Sequence, residues 1–183
     1  MLRICIANLG KYAEGIRFDK WLELPITSSN YIKALDEIRV CNSHKRYYDK
    51  AGNPYEEVII LDYDTDTGLE INEYTNISRL NEMAKLVAKY TDEQLSVLRG
   101  LLDIGFDFCK AVELVDSKRY VLYSKCRNMA EVAREMICDE YQILKKSLPG
   151  IPLHFDYESI GRDLEIAQNW CETPEGMCRL LVA

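Results

Sequence analysis

Apolar and polar positions follow two different periods along this chain. In residues 2–7, Ile4 and Ile6 alternate with Arg3 and Cys5, which predicts a strand. Residues 8–15 are turn-like, with Gly10 and Gly15. The run 18–24 carries Phe18, Trp21, Leu22 and Leu24 and stops at Pro25. Residues 27–30 supply candidate N-caps, after which Tyr31, Ile32, Leu35 and Ile38 recur at helical spacing. Residues 42–54 form a polar, partly basic loop with Gly52-Asn53-Pro54 as its turn signal. The β-branched run Val58-Ile59-Ile60-Leu61 predicts a strand leading directly into Asp62-Tyr63-Asp64-Thr65-Asp66.

The period then becomes helical. Ile77, Leu80, Ala84 and Val87 form one stripe within 76–90. Thr91-Asp92-Glu93-Gln94 fits a capping box opening a second helix through Leu95, Leu98 and Leu102. Residues 107–115 predict a third, short helix with Phe108, Ala111, Val112 and Val115. Strand composition returns at 120–123, and Asn128-x-x-Glu131 caps a longer helix reaching about 146. Pro149-Gly150-Ile151-Pro152 breaks it, a further helix covers 156–167, and 177–182 reads as a closing strand. There are no internal repeats or linker-like tracts. The expected fold is α+β in three small lobes: an N-terminal antiparallel sheet with a helix at 1–74, a helical lobe at 75–117, and an α+β lobe at 118–183.

Charge adds a feature that periodicity does not show. The 183 residues hold 30 acids against 23 bases, a formal net charge of −7. No Lys or Arg occurs between Lys50 and Arg79, and this window contains Glu56, Glu57, Asp62, Asp64, Asp66, Glu70 and Glu73. Those seven acids equal the whole excess, so the rest of the chain is formally neutral. Such a balance argues against a general nucleic-acid binder, which carries a basic face. The stretch reads either as a solvated acidic surface or as a surface for a basic partner or a cation.

No apolar run approaches the roughly 18–20 residues that span a bilayer. The opening MLRICIANLGKY is too short and polar for an export signal, so a cytoplasmic location is expected. The seven cysteines include no CxxC pair, which disfavours a disulfide framework or a zinc ribbon. Reduced thiols, several of them small core residues such as Cys5 and Cys138, are the simpler reading.

Three chemistries compete for the acidic stretch. Counted from Asp62, acids occupy positions 1, 3, 5 and 12 of an EF-hand-like loop, making Asp62, Asp64, Asp66 and Glu73 candidate calcium ligands. Position 6 is Thr67, however, and the glycine comes one place late at Gly68. A strand-like run also stands where an EF-hand needs a helix. A two-metal enzyme would need acids converging from several elements. His44 and His154 are the only histidines, Cys41-x-x-His44 is half a zinc signature, and no GxSxG, Walker or GxGxxG motif occurs. An enzyme and a bound cofactor are therefore not expected. In an extended strand, alternate side chains share a face about 6.5–7 Å apart, so Asp62, Asp64 and Asp66 would form a row of anions, extended by Glu56, Glu57, Glu70 and Glu73. A row of that kind resembles a phosphate backbone and suits a protein cleft built to hold DNA.

Several short motifs, in order, carry a family resemblance. They are Lys11-Tyr12-x-x-Gly15, Trp21-x-x-Leu24-Pro25, Pro54-Tyr55-Glu56-Glu57 and Asp62-Tyr63. Gly68-Leu69-x-Ile71-x-Glu73-Tyr74 and Leu80-Asn81-Glu82 follow, and Asp156-Tyr157-x-x-Ile160-Gly161-Arg162-Asp163 closes the series. With them the sequence resembles the ArdA antirestriction family over most of its length. The resemblance implies an elongated three-lobed protein, a homodimer encoded on mobile elements. It also implies binding to type I restriction-modification enzymes in place of DNA, by occupancy and without catalytic residues. The phosphate-mimicking set expected on that basis adds Asp92, Glu93, Asp103 and Asp107 to the seven acids above. Two departures stand out. Family members are often more acidic, and the loop 42–50 places His44, Lys45, Arg46 and Lys50 where they interrupt an anionic surface unless they face elsewhere. By position, 101–114 is the candidate for the family's short antirestriction motif.

Overall fold

The computed structural model describes residues 2–147, 154–167 and 169–181. The chain divides into two compact units, Met1–Tyr90 and Thr91–Ala183. Both are α+β.

The first unit contains β1 (Leu2–Asn8), α1 (Leu9–Ala13), β2 (Asp19–Leu24), α2 (Ser28–Glu37), β3 (Val58–Thr65) and α3 (Ile77–Val87). Its antiparallel sheet has the order β2-β1-β3. The central strand β1 is buried nearly throughout. Leu2, Ile4 and Ile6 share one face, and Leu22 and Leu24 of β2 join them through the register Ile4↔Leu22 and Leu2↔Leu24. Helices α2 and α3 pack against β2 and contribute Ala34, Leu80 and Ala84 to the buried set, with Ile38 and Val40 following α2. Thr27 caps α2 through its hydroxyl, and Asn76 caps α3 through its carboxamide, which removes unpaired N–H groups at both helix starts. Asn81 of α3 grips β2's exit: its side chain accepts from the Ile26 amide at 2.6 Å and donates to the Ile26 carbonyl at 3.0 Å.

Within the turn expected at 8–15 the chain forms the short helix α1. Asn8, fully buried, causes this: its Oδ1 accepts from the Lys11 amide, while its Nδ2 donates to the carbonyls of Ile38 and Arg39. Five residues are too few to show a helical period in sequence.

The second unit contains α4 (Asp92–Asp103), α5 (Phe108–Asp116), β4 (Tyr120–Ser124), α6 (Met129–Ser147), α7 (Tyr157–Ala167), β5 (Trp170–Thr173) and β6 (Gly176–Leu180). The capping box at Thr91 and Gln94 is formed as the spacing predicts. The antiparallel sheet has the order β4-β6-β5, so the closing strand is central and a strand not foreseen, β5, flanks it. Helix α4 lies on β5, with Gly100 so close that a Cβ there would stand 2.5 Å from the Glu172 carbonyl oxygen. Helices α6 and α7 pack together, and Val132 with Met129, Cys126 and Met177 forms a core that Leu164 and Trp170 close. The expected break at Pro149-Gly150-Ile151-Pro152 lies outside the described residues.

Candidate partner-binding surface

The geometry of the acidic strand is set by a β-bulge. Ile6 pairs with Ile60 and Cys5 with Asp62, leaving Leu61 as an extra residue on β3. Before the bulge, Ile60 shares the inward face of Ile6. Strict alternation from Ile60 would carry Asp62 and Asp64 inward as well. The extra residue reverses the phase, so Asp62 opposes Cys5 and Asp64 opposes Arg3, both on the outer face. Asp66 lies past Thr65, the last strand residue, so two of the three aspartates share the sheet face and the third follows at its end.

That outer face holds more than the predicted row. Across it, Glu23 of β2, Arg3 of β1 and Asp64 of β3 stand in one register line. The Arg3 guanidinium lies 4.0 Å from the Asp64 carboxylate and stacks over Trp21 with 5.1 Å to the ring centroid. One line along come Trp21, Cys5 and Asp62. Asp19, at the start of β2, accepts from Arg17 Nε at 2.8 Å, and that bond holds its carboxyl below the usual range. Glu23 and Asp19 are further acids on this face that the sequence reading missed. The available signal was the phase of 19–24, where buried Leu22 and Leu24 leave Trp21 and Glu23 outward.

Beyond β3 the chain folds back along its edge: the Ile60 amide donates to the Glu73 carbonyl at 2.9 Å. Leu69 and Ile71 turn in while Glu70 and Glu73 stay exposed. All of the predicted acids are exposed, but they divide between the units and differ in their partners. In the first unit, Glu57, Asp62, Asp64, Asp66, Glu70 and Glu73 are joined by Glu56, which accepts from Arg46 at 3.2 Å. The basic loop thus faces acids of its own unit. Lys45 likewise bonds Asp36 at 2.5 Å and holds that carboxyl low. In the second unit, Asp92 and Glu93 occupy the first turn of α4, where negative charge meets the helix N-terminus favourably. Glu93 accepts from the Tyr120 hydroxyl at 3.3 Å; burial first, and this carboxylate second, push that phenol up to about 12. Asp103 faces Arg99 at 4.0 Å. Asp107 is the N-cap of α5, accepting from the amides of Cys109 and Lys110. The segment 101–114 is therefore mixed, with Leu101, Phe108, Ala111 and Leu114 in the core and Asp103, Asp107 and Glu113 outside.

The calcium geometry is not what the Asp62-to-Glu73 segment adopts. A strand enters it, the first helix after it begins only at Ile77, and Thr67 is buried with its hydroxyl bonded to that of Thr65 at 2.8 Å. Among the described residues, no three His, Cys, Asp or Glu side chains gather as a metal site would require. Cys41 Sγ is engaged by the Tyr47 backbone, accepting from its amide and donating to its carbonyl. No described helix is long and apolar enough to cross a membrane.

Comparison with known families places these features. The family model for Antirestriction protein (ArdA) matches residues 4–179, nearly the entire chain, and takes in every described element apart from Leu2 and Arg3 of β1 and Leu180 of β6. A search of the curated proteins gives no match.

Proposed function

The chain belongs to the ArdA antirestriction family, and from that premise we propose that it inhibits type I restriction-modification enzymes by occupying their DNA-binding groove. The inhibitor acts as a homodimer in the cytoplasm of a host that has received a mobile element. Inhibition needs no cofactor, metal or chemical step. The division into three lobes at 1–74, 75–117 and 118–183 belongs to the same proposal.

The observation that carries the mimicry is the outward phase of β3. It supports a run of exposed carboxylates, Asp62, Asp64, Glu70 and Glu73, in a stretch without bases. Arg3 is the base standing closest to that run in register. The Arg3–Asp64 pair is exposed on both sides and so contributes little to the fold. Asp64 can exchange that partner for a base on the enzyme at small cost.

The test is DNA cleavage by a type I restriction enzyme, with and without this protein. Asp62→Asn, Asp64→Asn and Glu70→Gln together are compared with the parent. Three exposed charge contacts at roughly 0.2–1 kcal/mol each predict about a threefold to hundredfold loss of inhibition with an unchanged fold. Raised salt should weaken inhibition by the parent more than by the triple variant. Full inhibition by the variant would remove this face from the contact surface. No inhibition by the parent would remove the proposal itself.

A further inference from the structure

Cys171 of β5 and Cys178 of β6 stand directly opposite one another in an antiparallel pair. The Leu180 amide donates to the Asn169 carbonyl at 2.8 Å, so 169 and 180 form a hydrogen-bonded pair. Pair type alternates along the ladder, which makes 171 and 178 a hydrogen-bonded pair too, with Cα atoms about 5.5 Å apart. That separation falls within the 4.4–6.8 Å that a disulfide spans. Opposed side chains here have Cβ atoms about 4.5–5.5 Å apart, somewhat wider than the 3.5–4.5 Å of a relaxed disulfide, so the bond would form under strain and be readily reduced. Both cysteines are free, and both are buried. Cys171 nonetheless lines an open cleft of about 730 Å³ with Asn169, Trp170, Glu172, Met177 and Leu180.

We propose that Cys171 and Cys178 are a redox-active dithiol, which a low-molecular-weight disulfide converts reversibly into a cross-strand bond. The two thiols are not equivalent. The thiol–thiol interaction lowers Cys171 and, together with burial, raises Cys178. Cys171, on the cleft, is therefore the attacking sulfur. It loses its proton and attacks one sulfur of the small disulfide, expelling a thiolate that takes up that proton. The Cys178 sulfur, deprotonated, then attacks Cys171 Sγ and expels the second small thiol. Two protein thiols are oxidised and one disulfide is reduced to two thiols, with no other reactant. The product ties β5 to β6 at the strand on which α4 rests through Gly100. The exposed Cys109 and Cys138 have no such partner in register and would stop at the mixed disulfide.

The native protein treated with oxidised glutathione at neutral pH tests this, followed by alkylation, trypsin and mass spectrometry. The peptide 163–179 carries both cysteines. It should be lighter by two hydrogen atoms, unalkylated, and restored by dithiothreitol, while the Cys109 and Cys138 peptides carry glutathione. In Cys178→Ser the same peptide should trap glutathione on Cys171. The proposal fails if the wild-type peptide emerges with both thiols alkylated while Cys109 and Cys138 are glutathionylated. It fails equally if stable glutathione remains on either cysteine, or if the bond forms only in denaturant. The wild-type measurement decides the matter even where a serine variant does not fold.

Discussion

Gly161 in α7 sets two effects of known size against each other. Alanine there would gain helix propensity, up to about 1 kcal/mol relative to glycine. Its Cβ would also stand 2.7 Å from the carbonyl carbon of Met129, 2.8 Å from that oxygen and 2.9 Å from the Ala130 amide nitrogen. All three are backbone atoms at the start of α6, whose first turn is fixed by the Asn128 side chain accepting from the Glu131 amide at 2.9 Å. No flexible side chain is available to give way. Relief requires the helices to part by a large fraction of an ångström, opening the cluster in which Leu164 of α7 packs against Met129 and Val132. Overpacking of this kind costs about 1–3 kcal/mol, and backbone neighbours place it in the upper half. The net for Gly161→Ala is a loss of about 1–2 kcal/mol. In a unit of this size that lowers the melting temperature by about 5–15 °C. Thermal unfolding followed by circular dichroism reads it, with Ile166→Ala on the same helix as control, since Ile166 is 86% exposed and should shift little. A melting temperature raised by Gly161→Ala would mean that propensity outweighs contact, and that the helices are not in the close approach described.

Asn81→Ala removes both side-chain bonds to Ile26 and leaves two backbone groups to find water, so the first unit should lose about 1–3 kcal/mol in a urea titration, with the slope unchanged. Asp107→Ala removes the cap of α5 and should cost about 0.5–2 kcal/mol of stability, whereas Asp62→Asn should cost little, and equal losses would contradict the separation of capping from surface acids. Acid should destabilise the fold. Glu14 is held low by Lys11 and then Tyr55, Asp19 by Arg17, Asp36 by Lys45 and then Tyr47, and Asp49 by Asn53. Each binds its proton less readily folded than unfolded, so the stability they contribute is present above about pH 4 and lost as pH falls through the folded values. A melting temperature rising between about pH 5 and pH 3 would show instead that repulsion among the acids dominates.

Elements whose cause is local were legible in the sequence. The Thr91–Gln94 box, the Thr27 cap and the β-branched start of β3 each depend on residues within a turn or a strand of one another. What was missed depends on distant parts of the chain. Helix α1 exists because Asn8 reaches the carbonyls of Ile38 and Arg39, about thirty residues away. The four residues of β5 carry no alternation strong enough to stand out, and the strand is defined by its pairing with β6. The family motifs resolve mostly into architecture. Tyr55 bonds Glu14 and lies under the Lys11 ammonium, Asn81 ties α3 to Ile26, Gly68 takes φ +74°, and Gly161 admits the backbone of α6.

The acidic stretch shows most clearly how composition and function separate. Counting charges treats its acids as equivalent; the fold does not. Glu56 answers Arg46, and Asp64 stands against Arg3, while Asp107, outside the stretch, is a helix cap. Asp62 and Asp64 face solvent only because Leu61 is inserted in the β1–β3 ladder. That single residue also lets Ile60 be buried on the inward face of β3 while the aspartates two and four positions later point outward. A strand without it would have to choose between a buried apolar start and an outward acidic end. The bulge is the device by which one short strand anchors the sheet and displays charge, and it places the partner-binding hypothesis on backbone register rather than on the net charge of −7.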